Sequence, residues 1–225
     1  SEPMSVLRTA VSMLGCIDSE SGLNDQNSVL IKLKSLIAKI PTIVAAQARI
    51  NVGETPLQPD LSLSHSSNYY YMVTGEVADE KTLNAFDAVL VIYAEHEINA
   101  STFACRVVMG TESDIYSSVV AGISAIKGPL HGGAAEAVMT MANEVGEPEN
   151  AEKYVENVIN NGGRIMGFGH RVYKTADPRA LILKKDAKNL SDRKGNPKWF
   201  AILQSLAECM EPYEKKGICE NVDFW

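Results

Sequence analysis

Apolar residues recur every three to four positions along almost the whole chain, and the two-residue alternation of a half-buried strand is nearly absent. In the opening segment Val6, Leu7, Ala10, Val11 and Leu14 fall on one helical face. Ser1 is expected to cap that helix, Pro3 to sit in its first turn and Gly15 to stop it. The same periodicity predicts helices over residues 27–49 (kinked at Pro41), 67–74, 99–109 and 115–126. Another is expected from a cap near Ala78 and Asp79 to about His96. Residues 51–65 read as a loop punctuated by Gly53, Pro56 and Pro59. The stretch SNYYYMVTG is the nearest thing to a strand. The expected fold class is all-α.

Beyond Gly133 the pattern changes. Helices shorten to 134–143, 151–160, 179–190 and 198–213, and charges and turn residues become more frequent. This predicts a larger helical domain over 1–133 and a smaller one over 134–225. With 45% hydrophobic and 22% charged residues, 225 residues suffice for two ordinary globular cores.

Several function classes are disfavoured. A net charge of −7 argues against a general nucleic-acid binder. No apolar run approaches the roughly 20 residues of a membrane span. The start SEPMSVLRTAV has no basic segment and no cleavage pattern, so no secretory signal is expected. None of the four cysteines forms a C-x-x-C pair, so no zinc site is expected. Cys16 and Cys105 sit in apolar patterns and read as small hydrophobes. A reducing compartment is expected, the cytoplasm or, in a eukaryote, the mitochondrial matrix.

The four histidines are His65, His96, His131 and His170. Two are flanked by glycine, His131 in KGPLHGGAAEA and His170 in GFGHRVY. One such histidine is commonly just a loop residue. Two such loops in a short chain point to a ligand approaching the backbone closely. A helix starting just after His131 would disfavour a charged imidazole there. A neutral imidazole can donate a hydrogen bond to a carbonyl, which suits enolisation. His96, in YAEHEINAST, reads equally well as a helix-end histidine, and His65 reads as structural. Residues 164–185 hold six basic side chains, Arg164, Arg171, Lys174, Arg179, Lys184 and Lys185, against the single acid Asp177. A net +5 in a chain whose total is −7 marks an anionic small ligand. Lys184 and Lys185 fit a solvated helix face equally well. Asp223, in ENVDFW, lies between Val222 and Phe224, and partial burial would raise its pKa toward that of a usable base.

Taken together, YAEHEINASTFACRV, SDIYSSVVAGISAIKGPLHGGAAEA, GFGHRVYKTADPRA and NVDFW, in that order, resemble the citrate synthase family, as does the opening PMSVLRTAVSMLG. The resemblance covers essentially the whole chain. It implies an acyltransferase of the tricarboxylic acid cycle that condenses acetyl-CoA with oxaloacetate and hydrolyses the citryl thioester. It implies a homodimer, and no permanently bound cofactor, the coenzyme A thioester being a substrate. Asp223 would take the methyl proton, His131 would stabilise the enol oxygen, and His170 would polarise the oxaloacetate carbonyl. His96 and Arg179 would hold the oxaloacetate carboxylates. Coenzyme A would lie on Ile165, Met166, Gly167 and Gly169, with Leu130 nearby. Arg164, Lys174 and Lys216 would face its phosphates and Asn221 would make a polar contact. Neither a metal nor a nucleic acid is implied.

The family's chains extend beyond this one at both ends, and the later segment supplies further arginines. The family often has proline where this chain has Glu220, and asparagine where it has Ala135. Apolar residues around much of the circumference of helices 87–96 and 115–126 call for cover on more than one side. A 2-methylcitrate synthase using propionyl-CoA is the alternative within the family. A non-catalytic helical scaffold is the alternative outside it.

Overall fold

Side-chain acceptors decide where most of the helices begin. Asp25, Ser64, Asn99, Asp114 and Asp177 each accept a backbone N–H of the first turn that follows, as does Glu2 ahead of the first helix. Such a cap contributes roughly 1 kcal/mol. A computed structural model of the chain describes residues 2–95, 97–129, 131–170, 175 and 177–225. Among these, the α-helices are α1 (Pro3–Ile17), α2 (Gln26–Asn51), α3 (His65–Thr74), α4 (Glu80–Tyr93), α5 (Ala100–Met109), α6 (Ile115–Ile126), α7 (Ala134–Val145), α8 (Ala151–Asn160), α9 (Pro178–Lys194) and α10 (Lys198–Glu214). The β-type pairing seen among the described residues is an isolated bridge between Phe168 and Glu220. The protein is all-α, as its periodicity predicts.

Several local expectations fail for identifiable reasons. The first cap is Glu2, and Ser1 lies outside the described residues. Gly15 does not stop α1. A Cβ there would lie 2.9 Å from the Tyr116 Cβ, so its bare backbone is a notch that admits α6. Cys16 is exposed rather than packed. The helix expected over 67–74 is there but starts two residues earlier, at His65, because Ser64 caps it; Gly75, at φ +82°, ends it. α4 ends at Tyr93, short of His96. α9 runs to Lys194 because its terminator is Gly195 at φ +63°, further on than expected.

The chain divides into two compact units, residues 1–87 with 93–131, and residues 88–92 with 132–225. The core of unit 1 gathers Val11, Leu36, Ile115, Tyr116 and Ile123. α6 finds its cover inside this unit. Tyr116 enters the Gly15 notch, and its hydroxyl donates to Asp18 at 2.7 Å. On the α5 side Gly122 faces the Cys105 sulfur, where a Cβ would approach to 2.5 Å, and the Ser118 hydroxyl donates to the Cys105 carbonyl. The core of unit 2 is larger. Val138, Met141 and Val145 of α7, Val155 of α8 and Ile202, Leu206 and Met210 of α10 close around Ile165 and Phe224. No helix among the described residues is long and apolar enough to cross a membrane.

Candidate active site

In unit 2 the glycine loop around His170 and the segment around Asp223 are laced together. The Gly169 N–H donates to the Cys219 carbonyl at 2.7 Å, and the Asn221 N–H donates to the Gly167 carbonyl at 2.9 Å. The Asn221 side chain completes the seam. Its Nδ2 donates to the Gly169 carbonyl at 2.9 Å, and its Oδ1 accepts the Asp223 N–H at 3.0 Å. One amide therefore ties the residue before His170 to the backbone of Asp223. Phe224, 1% exposed, plugs the core directly after Asp223 and packs edge-on against Phe168 at 4.6 Å. Gly167 is required here twice over. Its φ is +79°, and a Cβ would lie 2.7 Å from the Phe224 ring. His170 and Asp223 are both half-buried.

Arg179 opens α9, as its place after Asp177 and Pro178 suggests. Its Nε and Nη2 bind the Asp177 carboxylate at 3.0 and 2.7 Å, and its N–H donates to the same group at 2.9 Å. Asp177 is fully buried. Burial alone would push its carboxyl up. The Arg179 hydrogen bonds, the Arg179 charge and the His170 imidazole together outweigh burial and hold it below its ordinary value. A buried carboxylate thus aims the guanidinium.

Of the residues expected to meet coenzyme A, Arg164 is exposed ahead of this loop, and Lys216 is exposed with its ammonium 5.5 Å from the Tyr213 ring. The Ile165 side chain is spent on the core, and Met166 packs against it. Gly167 and Gly169 have backbone groups engaged by the Cys219–Asn221 stretch. His96, Leu130 and Lys174 lie outside the described residues.

His131 belongs to unit 1. Its N–H closes a tight turn on the Gly128 carbonyl at 2.9 Å. Gly133 then starts α7 with φ −76° and no side-chain cap. Positive φ therefore marks the glycines beside His170 (Gly169 at +83°) but not Gly133. The His131 Nε2 lies 3.0 Å from the Ser101 hydroxyl, which is also 2.8 Å from the Asn99 Oδ1. The Ser101 hydroxyl donates to the Asn99 Oδ1, which leaves its oxygen to accept from the His131 Nε2–H. Ser101 was not among the expected site residues. It is the second residue of α5, with no charge or glycine to mark it.

The model of the family described as "Citrate synthase, C-terminal domain" matches residues 1–225. The chain belongs to the citrate synthase family. It is 44% identical to citrate synthase 2 of Bacillus subtilis over 99% of its own length and 59% of that protein's. It is 41% identical to a 2-methylcitrate synthase of Mycobacterium tuberculosis over 99% of its length and 56% of the relative's. Among solved structures, a ternary complex of carboxymethyl coenzyme A and oxaloacetate with citrate synthase from Thermoplasma acidophilum superposes with a TM-score of 0.89 at 34% identity, covering 100% of this chain and 59% of that one. The chain thus spans rather more than half the length of the family members it matches.

Proposed function

We propose that the protein containing this chain is a citrate synthase that condenses acetyl-CoA with oxaloacetate and water to citrate and coenzyme A. The observation that carries this reading is the Asn221 bridge, which joins the His170 loop to Asp223 in one unit. The Asp223 carboxylate takes a proton from the thioester methyl group. The C–H electron pair becomes the enol double bond, and charge moves onto the thioester oxygen. His131 donates to that oxygen. The enol carbon then forms a C–C bond to the oxaloacetate keto carbon, whose carbonyl His170 polarises. His96 and Arg179 hold the oxaloacetate carboxylates. Water attacks the citryl thioester, the C–S bond breaks and coenzyme A leaves. Leu130, Arg164, Ile165, Met166, Gly167, Gly169, Lys174, Lys216 and Asn221 border the coenzyme side. Only the exposed Arg164 and Lys216 offer charge to phosphates among those described.

The test uses the full-length protein. Asp223→Asn is nearly isosteric and cannot accept the methyl proton. It is expected to lower condensation about 10²–10⁴-fold while oxaloacetate binding, read by calorimetry, survives. Arg179→Ala is expected to weaken oxaloacetate binding instead. Wild-type turnover in Asp223→Asn would sink the mechanism.

A second reading, 2-methylcitrate synthesis from propionyl-CoA, is favoured by relatives of that name at 41% identity. One methylene is worth about 1–3 kcal/mol in a pocket, so the ratio of kcat/KM for the two thioesters decides between them. A homodimer is part of the same proposal. Leu90 and Val91 of α4 are exposed in this chain and need cover. A stable full-length monomer at micromolar concentration by sedimentation would exclude it.

A further inference from the structure

We propose that Glu220 is a positioning residue for Asp223, acting with Lys184 to fasten Trp225 and so hold the turn that carries the base. The proposal rests on Asp223 being the general base. Glu220 stands where the sequence departs from its family's common proline, and Lys184 reads from the sequence as a solvated helix position. The structure gives both a specific place. Glu220 is 8% exposed, so its carboxylate has left most of its water. Its Oε1 lies 3.5 Å from the Lys184 ammonium, and its Oε2 accepts the indole N–H of Trp225. The Lys184 ammonium lies 4.5 Å from the centroid of the Trp225 ring system. Acid, cation and indole therefore form a closed triangle in which each group touches the other two. A carboxylate this buried is costly without such partners.

The triangle has a mechanical consequence. Asp223 sits in a non-helical turn. Upstream, Asn221 takes its N–H, and Asn221 also accepts the Phe224 N–H at 3.2 Å on its carbonyl. Phe224 sets how deep the segment enters the core. Trp225 packs edge-on against Phe224 at 5.0 Å and so holds the far side of the turn. The backbone of Glu220 is meanwhile bridged to Phe168, and its carbonyl accepts the Asp177 N–H at 3.4 Å. One residue thus connects the histidine loop, the start of the Arg179 helix and the far side of the Asp223 turn. Proline at this position supplies a stiff φ and no side-chain partner. Lys184 retains 31% of its side-chain exposure, and a pair that wet contributes little to stability by itself. Holding Trp225 is the larger output of the triangle.

The experiment uses full-length protein and four variants: Glu220→Ala, Glu220→Gln, Trp225→Phe and the double variant Glu220→Ala with Trp225→Phe. A shift of a base by a fraction of an ångström to one ångström costs up to about 10²-fold in rate, so Glu220→Ala is expected to lose roughly ten- to a hundredfold in kcat. KM for both substrates should stay within about twofold, because no substrate contact has been removed. Glu220→Gln keeps an acceptor for the indole and should recover most of the rate. Trp225→Phe should resemble Glu220→Ala, and the double variant should be no slower than the slower single, since both remove one contact. If Glu220→Ala fails to fold, Trp225→Phe and Glu220→Gln carry the same test. An unchanged kcat in Glu220→Ala or Trp225→Phe overturns the proposal. Equal losses in the Ala and Gln variants, additive losses in the double variant, or a weakening of oxaloacetate binding that matches the loss of rate do the same. A wild-type protein that condenses neither acetyl-CoA nor propionyl-CoA overturns the reading of the site itself, and this proposal with it.

Discussion

The two units solve the packing problem differently. In unit 2, three helices, a glycine loop and the Phe224 segment share one core of thirteen buried hydrophobic residues, and Asp223 adjoins one of them. In unit 1 the main cluster holds five. Around it α2 leaves Leu30, Ile31 and Ile37 exposed, and α5 leaves Phe103 and Val107 exposed. His131 is the last residue of this unit, its N–H in a turn on Gly128 and its ring against Ser101. The difference teaches that precision and cover have separate sources. Unit 2 makes the place for its carboxylate and histidine from its own residues. Unit 1 builds a smaller core and leaves large apolar residues of α2 and α5 exposed.

The largest expected effect that breaks or sharpens this comparison is at Phe224. Phe224→Ala empties the centre of the unit 2 core and is expected to cost about 3–5 kcal/mol in chemical denaturation. A cost under 1 kcal/mol would show that the core does not depend on this segment. Gly167→Ala comes next. It forces a Cβ into the Phe224 ring at a positive φ and is expected to cost about 1–3 kcal/mol and to lower kcat. A silent substitution would break the claim that loop and segment fit only through a bare backbone.

Acid tests the third contrast, a buried ion pair against open faces. The Asp177 carboxyl titrates below its ordinary 3.8 in the folded chain, so its contribution is complete above about pH 4. It is lost as pH falls through the lower, folded value. Unfolding profiles of wild type and Asp177→Asn should therefore differ most above about pH 4 and draw together as pH falls through the folded value. Parallel curves would remove the pair from the stability of unit 2. The smallest effect is expected at Phe103, which is 61% exposed. Phe103→Ala should change the stability of this chain by no more than about 0.5 kcal/mol. A cost of several kcal/mol in the full-length protein, against none here, would show directly that the α5 face is covered there.

How far the sequence could be read follows from the kind of signal each feature leaves. Helix existence was legible because periodicity is a property of many residues at once, and α6 and α8 begin and end where expected. Boundaries failed where one residue serves two purposes. Gly15 looks like a terminator and acts as a notch. Within the site, Arg179 after Asp177 and Pro178 was readable because capping is local. The roles of Asn221 and Glu220 were not, since their partners lie 52 residues away at Gly169 and 36 residues away at Lys184. Ser101 was hidden for the same reason, 30 residues from His131.

The contact between Asp18 and Tyr116 closes a span of 98 residues between the first helix of unit 1 and its last. A ribosome adding about 5–20 residues per second needs roughly 5–20 s to cover that span. Throughout this interval the Val11 face of α1 has been made and its partner has not. α2 can shelter part of it, but the Gly15 notch stays empty until α6 emerges. The nascent chain is therefore most exposed to wrong partners midway through synthesis. A chaperone that binds short apolar helices would find its longest opportunity there.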